Sequence, residues 1–303
     1  RTEVVDQGGL RQLGLRDPVA TFAGSPDGSL LAVGTMNRGL CRMNLIDSES
    51  LEVLEVLASK QGNLFPAFSP SGNLLAVTHV QQGLLVWDRR VNQLRFRTSA
   101  VPRSFRAVFG PDESWVATTG PGDEVQRWSA ENGDPMGTWF RHGDGRRLVS
   151  ALSISRDGGV VVSGGFDHWV RWWSADGDKA TLLGESEMGG IIASVGASLD
   201  GDWILGATDT GEVGIWEVKG GELVCRFFEP DSPLVDARFM PDGRHVLTVS
   251  QQGVARIRSV PSGFPVTGPL SLAQIWKVPK VGREENAGWL QEVVRHCGGD
   301  FGN

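Results

Sequence analysis

The side chains able to do chemistry in this 303-residue chain are few and scattered. Its five histidines stand at 79, 142, 168, 245 and 296, with none of the spacings that let imidazoles share a metal ion. The three cysteines, Cys41, Cys225 and Cys297, form no Cys-x-x-Cys pair, so a zinc site and a dithiol redox centre both lack their ligands. A Gly-x-x-x-x-Gly-Lys-Ser/Thr phosphate loop, a Gly-x-Ser-x-Gly nucleophile elbow and a His-Glu-x-x-His metal pair are all missing. No cofactor, no resident metal and no catalytic activity are therefore expected. What remains is recognition chemistry. Between 142 and 173 lie His142, Arg146, Arg147, Ser163, Phe166, Asp167, His168, Trp169, Arg171 and Trp173, and arginine with large aromatics is the composition of protein-binding hot spots.

The elements that must position these residues follow from composition and period. Apolar residues make up 40% of the chain and charged residues 21%, as in ordinary globular proteins, so the chain is expected to fold. Forty-one glycines and 15 prolines spread along its length favour many short strands joined by tight turns. One turn signature recurs six times, beginning at Ser25, Ser69, Gly110, Ser155, Ser198 and Met240 and reading Ser-Pro-Asp-Gly in its first copy, at steps of 41 to 45 residues. Proline presets φ, aspartate caps the turn, and glycine accepts positive φ, which is the chemistry of a tight hairpin. Each turn is followed by a short continuous apolar run such as Leu74 to Thr78 or Trp203 to Ala207, the pattern of a strand covered on both faces. About fifteen residues beyond each turn comes a second marker: Met43-Asn44, Trp87-Asp88, Trp128-Ser129, Trp173-Ser174, Trp216-Glu217 and Arg258-Ser259.

With a period of this length and a Trp-Asp pair at its recurring position, residues 18–270 resemble the WD-repeat family, its bacterial-style repeats in particular. The resemblance implies an all-β fold, a β-propeller of four-stranded antiparallel blades. It also implies that His142, Ser163, Asp167 and Trp173 form the buried hydrogen-bond set that stiffens a blade, with blades lacking the histidine relying more on apolar packing. Seven blades of about 43 residues would nearly use up the chain. On that reading 1–303 is a single domain whose ring is closed by 1–17 and 271–303, with Ile275 to Val281 and Trp289 to Val294 as strands. The alternative is six blades with Trp289, Leu290, Val293 and Val294 on one face of a C-terminal helix, as at the ends of some bacterial WD-repeat proteins.

The family habit places partners on the face built by loops entering the innermost strands and loops between the second and third strands. By alignment that face carries Arg38, His79, Gln81, Arg103, Asp123, Arg146, Arg147, Phe166, His168, Trp169, Asp209 and Gln251. Trp169 beside Arg171 is the sharpest candidate for a partner anchor; its other reading is packing against the neighbouring blade. Arg146-Arg147 beside Asp144 reads either as a solvated loop or as a clamp for an acidic ligand. A propeller fold alone never excludes chemistry. Sialidases use a tyrosine nucleophile, and this chain has no tyrosine. The innermost strands, beginning near Val19, Phe65, Phe105, Val149, Ile192 and Leu234, predict an apolar channel, which disfavours an enzyme or small-ligand binder there.

A net charge of −7 lacks the basic surplus that nucleic-acid binding needs, and no apolar run is long enough to span a bilayer. Isolated thiols suit the cytoplasm. A start at Arg1 rather than methionine is consistent with upstream sequence having been removed. The expected function is a non-catalytic scaffold or sensor that binds a protein or peptide, as a segment of a larger bacterial signalling protein.

Overall fold

The computed structural model describes residues 2–271 apart from the short stretches 7–8, 14–16, 18, 39, 60–63, 80–82, 99–105, 121, 144–146, 231–232, 253 and 269. The turn period is realised as six antiparallel sheets of four strands, each strand paired with its neighbour in sequence. Blade one is Val19–Gly24, Leu30–Asn37, Leu40–Asp47 and Val53–Ser59; blade two is Leu64–Phe68, Leu74–His79, Gly83–Asp88 and Gln93–Thr98. Blade three is Ala107–Phe109, Trp115–Thr119, Glu124–Ser129 and Pro135–Arg141; blade four is Val149–Ile154, Val160–Gly165, Trp169–Ser174 and Thr181–Glu187. Blade five is Ile192–Ala197, Trp203–Thr208, Glu212–Glu217 and Leu223–Phe228; blade six is Leu234–Phe239, His245–Ser250, Val254–Ser259 and Leu270–Ser271. The innermost strands pack in order, one to six, and together line one channel.

Each recurrent turn joins the first two strands of a blade by the chemistry its residues dictate. In blade one the Gly28 amide donates to the Ser25 carbonyl at 2.9 Å, with Gly28 at φ +70°. The Ser25 hydroxyl accepts from the Leu30 amide at 2.9 Å and donates to Asp27 at 2.5 Å. That hydroxyl and the Ser29 amide stabilise the Asp27 carboxylate and hold its pKa down to about 2. Blades four and five repeat the arrangement at Ser155 and Asp157 (2.6 Å) and at Ser198 and Asp200 (2.5 Å). In blade three Glu113 occupies the glycine position at φ +59°, and its carboxylate accepts from the Ser71 amide at 2.5 Å and the Ser71 hydroxyl at 2.9 Å, tying one turn to the next.

The second and third strands carry the core. Leu74 to His79 are buried without interruption, whereas the outermost strand Thr181–Glu187 is largely exposed. Between blades four and five, Val170 and Trp172 pack with Ile192, Val195, Ile204 and Trp216. Backbone and side chains come so close there that a Cβ on Gly164 would lie 2.3 Å from Ile192. Hydroxyls on the innermost strands stitch neighbouring blades together: Thr21 donates to the Leu64 carbonyl, Ser150 to the Ile192 carbonyl at 2.9 Å, and Ser194 to the Ala237 carbonyl at 3.1 Å.

The blade count corrects the favoured expectation, since the described residues form six four-stranded blades rather than seven. Among the described residues the hairpin Thr2–Asp6 with Gly9–Leu13 pairs only with itself and forms a two-stranded sheet. Dividing the length by the period counted every residue as blade, whereas the blades occupy only 19–271. Ile275 to Val281 and Trp289 to Val294, assigned above to strands or to a helix, lie outside the described residues. Among the described residues there is no helix, and none is therefore long and apolar enough to cross a membrane.

Candidate functional site

The site is built on blade four, and it starts from a buried chain of hydrogen bonds. Trp173 Nε1 donates to Ser163 Oγ at 2.8 Å, Ser163 Oγ lies 2.8 Å from His142 Nδ1, and His142 Nε2 lies 3.1 Å from Asp167 Oδ1. One assignment satisfies every group: the serine hydroxyl, already accepting from the indole, donates to Nδ1, and Nε2–H donates to the carboxylate. Asp167 also accepts from Arg171 Nη1 at 2.6 Å and from the Trp169 amide at 3.2 Å. Burial pushes the Asp167 pKa up, but the bonds from His142 and Arg171 outweigh it and hold the carboxyl well below the usual range. The network clamps the 165–169 turn, in which His168 takes the left-handed φ of +73°.

Above this clamp lies a depression of about 400 Å³ lined by Gly143, Arg147, Phe166, Asp167, His168, Trp169 and Arg171. Phe166 is 39% exposed although it is an aromatic ring on a soluble face, and Arg147 is exposed beside it. Trp169 is half-buried, with the Arg171 guanidinium 5.3 Å from its ring centre. Arg171 itself is buried between Asp167 and Glu185, whose carboxylate it meets at 2.8 Å, so its charge is neutralised inside the blade rather than offered outward.

The structure therefore brings five of the nine expected contact residues together: Arg147, Phe166, His168, Trp169 and Arg171. Arg38 is exposed at φ +47° on the blade-one turn and does not line the depression. His79 is a correction, because it is completely buried at the end of its strand and no partner can reach it. Arg103, Arg146 and Gln81 lie outside the described residues. Asp123 is buried and holds the Gly143 amide at 3.1 Å, which makes it a support of the depression rather than a contact. Glu185 was not anticipated; its place opposite Arg171 in the strand register is the signal that would have found it.

Blade six contains a charged counterpart of this network. Arg258 pairs with Val246 as Trp173 pairs with Val161, so arginine stands in the tryptophan position. Glu229, following the outermost strand of blade five, stands where His142 follows that of blade three. Its carboxylate meets Arg258 Nε at 2.7 Å and Nη2 at 3.0 Å, the Thr248 hydroxyl at 2.8 Å and Arg256 Nε at 3.7 Å. Blade three keeps a shorter version, with Trp128 Nε1 donating to the Thr118 hydroxyl at 3.0 Å. Blade six thus adds a buried ion pair to the apolar packing on which blades lacking the histidine are expected to rely more.

The WD domain, G-beta repeat family matches residues 133–174, the segment that runs from the outermost strand of blade three through the tetrad. That segment carries the full tetrad, and its strand plan recurs in all six blades. Over that segment the chain is similar to the WD-repeat family. Among curated WD-repeat relatives, Cilia- and flagella-associated protein 52 of Chlamydomonas reinhardtii is 34% identical over 139 residues, 45% of this chain and 22% of that protein. Target of rapamycin complex subunit LST8 of Mus musculus is 26% identical over 150 residues, 49% of this chain and 45% of that protein. The WD repeat-containing protein 26 homolog of Arabidopsis thaliana is 20% identical over 214 residues, 68% of this chain and 34% of that protein. The matches thus span less than half the length of each of these relatives.

The channel of this propeller also departs from expectation. It encloses about 820 Å³, and its wall is not wholly apolar: Arg106, Asp236 and Arg238 line it. The strand-opening residues named above are apolar, but these three sit deeper along the innermost strands or just before one. Among the described residues no group of histidine, cysteine and acidic side chains is arranged to hold a metal.

Proposed function

We propose that this chain is a protein-interaction scaffold whose partner docks on the blade-four depression. The observation that carries the reading is the exposed Phe166 ring beside the half-buried Trp169 and the exposed Arg147, in a concavity whose floor is fixed by the His142–Ser163–Asp167–Trp173 network. Rigid aromatics lose little entropy when they bind, and arginine adds a planar charged donor, so this trio can anchor a peptide with one apolar and one acidic side chain. His168 shapes the wall and Arg171 positions Trp169. Arg38 belongs to a neighbouring part of the same face.

The reading is of a scaffold rather than an enzyme, acting as one domain within a larger signalling assembly; one relative is by name a subunit of the target of rapamycin complex. A cytoplasmic setting accords with the unpaired thiols of Cys41 and Cys225, which burial makes harder to ionise. The test is an affinity capture with the wild-type chain beside the Trp169→Ala, Arg147→Glu double variant, after circular dichroism has shown equal folding. Specific partners are expected to be lost from the variant. A partner set that is unchanged moves the binding surface to the rim or the opposite face.

A further inference from the structure

Each blade ends in an outermost strand whose far edge carries backbone N–H and C=O groups without a strand beside them. Such an edge pairs with another chain unless it is short, interrupted or charged. Among the described residues, five of the six outermost strands are protected in one of these ways. Gln93–Thr98 carries Arg95 and Arg97, and Pro135–Arg141 opens on proline and contains Gly137 at φ +95°. Thr181–Glu187 carries a glycine and two glutamates, Leu223–Phe228 carries Arg226, and Leu270–Ser271 is two residues long. Val53–Ser59 of blade one reads Val-Leu-Glu-Val-Leu-Ala-Ser, with one carboxylate and neither proline, glycine nor a cation.

Strand register locates the difference. Ile46 pairs with Leu31 as Trp173 pairs with Val161, so Ile46 holds the tryptophan position of blade one. Two residues before that position, the third strand faces Arg97, Thr138, Glu185 and Arg226 in blades two to five, a polar side chain every time. In blade one it faces Val56. Val56 is 48% exposed, and Val53 and Leu54 beside it are 43% and 57% exposed. Glu55, the one ionisable group of the strand, is half-buried, and burial pushes its pKa up, so it protects the edge less than a solvated charge would. Among the described residues nothing pairs with the far edge of this strand.

The occupant that suits such an edge is another strand, because only a strand satisfies the backbone groups along its whole length. A strand of matching length and composition is supplied by the same segment of a second copy. Antiparallel pairing about a two-fold axis is self-complementary and closes after two copies, so it yields a dimer and no fibre. A register centred on Val56 sets valine against valine and Glu55 against Leu57, whereas one centred on Glu55 sets two carboxylates directly opposite. Seven extended residues span about 23 Å. An interface of that length is small, so the dimer is a weak one.

We propose that Val53–Ser59 is a homodimerisation edge that joins blade one of two copies into a single eight-stranded sheet. Sedimentation velocity of the 303-residue chain from about 2 to 200 μM, the range in which a small interface dissociates, tests this. The weight-average mass is expected to rise with concentration toward twice that of one chain. Val56→Lys should give a monomer throughout, with an unchanged circular dichroism spectrum, because blades two and five already carry arginine at this position. Leu54→Lys, at a site more exposed still, should do the same and serves where V56K alters the spectrum. Trp169→Ala should leave the dimer unaltered, which separates this edge from the docking face. In Val56→Cys, mild oxidation should link two copies through residue 56, which wild type lacks the thiol to do. A wild-type chain that stays monomeric, a dimer that survives V56K and L54K, or a V56C chain that oxidation fails to link overturns the proposal.

Discussion

Blades four and six solve the same problem with opposite chemistry. Each must tie its third strand to its second and to the chain arriving from the previous blade. Blade four does so with a neutral relay of Trp173, Ser163 and His142 that reaches a carboxylate only at its far end. Blade six places a carboxylate in the middle, Glu229, and surrounds it with Arg258, Arg256 and Thr248. A neutral relay has modest net strength but leaves little penalty in any one place. A buried ion pair is strongly attractive yet costly to desolvate, so its loss is far more damaging than its presence is helpful. The two blades should therefore differ less in stability than in how badly they fail.

The largest effect is expected from Glu229→Ala, which takes the carboxylate away from the largely buried Arg258; unfolding by urea should show a loss of about 3–5 kcal/mol. Replacing both partners, Glu229→Met with Arg258→Met, should recover most of that loss, because two apolar side chains of similar volume need no desolvation. If the double variant is as unstable as the single one, the pair contributes more than its own compensation and the contrast between the blades collapses.

His142→Ala in blade four should cost about 2–3 kcal/mol, since the Ser163 hydroxyl and Asp167 each lose a buried partner. Unlike blade six, the double replacement His142→Leu with Ser163→Ala should recover little, because Trp173 Nε1 loses its acceptor and Asp167 its histidine donor. The same variants should weaken partner capture by the Phe166 and Trp169 surface, because the floor of the depression loosens.

The Asp167 carboxyl is held below its unfolded value of roughly 3.9, so its contribution is complete above that pH and is lost as pH falls toward the folded value. Asp167→Asn should cost about 1–2 kcal/mol at pH 7. The gap between variant and wild type should close as urea titrations are carried from pH 5 toward pH 2, and a gap that stays constant would remove Asp167 from the acid response. The smallest effect is expected in blade three, where Thr118→Val removes only the hydroxyl under Trp128, at about 1 kcal/mol in the same titration.

The sequence makes the six hairpins plain because turn chemistry is local: serine, aspartate and glycine within four residues determine the bend. The blade-four tetrad is readable as well, through the spacing of His142, Ser163, Asp167 and Trp173. Its counterpart in blade six hides because Arg258 looks like an eroded tryptophan and Glu229 looks like a loop residue; only strand register shows that they replace a known pair. His79 was misjudged for a related reason, since the end of a strand is where alignment least distinguishes a loop residue from a buried one. The channel charges hide because the openings of the innermost strands are apolar, while Asp236 and Arg238 lie further along one strand and Arg106 just before another. The blade count failed because length is not a structural quantity, and the Thr2–Asp6 and Gly9–Leu13 strands pair only with each other.

Every strand in the six blades hydrogen-bonds only to a neighbour in sequence. For a chain emerging from a ribosome, this means that each blade can complete its own sheet as soon as its fourth strand is available, without waiting for distant segments. What must wait is the stitching between blades by Thr21, Ser150 and Ser194, each of which needs the innermost strand of the blade made next. Synthesis and assembly then run in the same direction, each new blade locking the one before it.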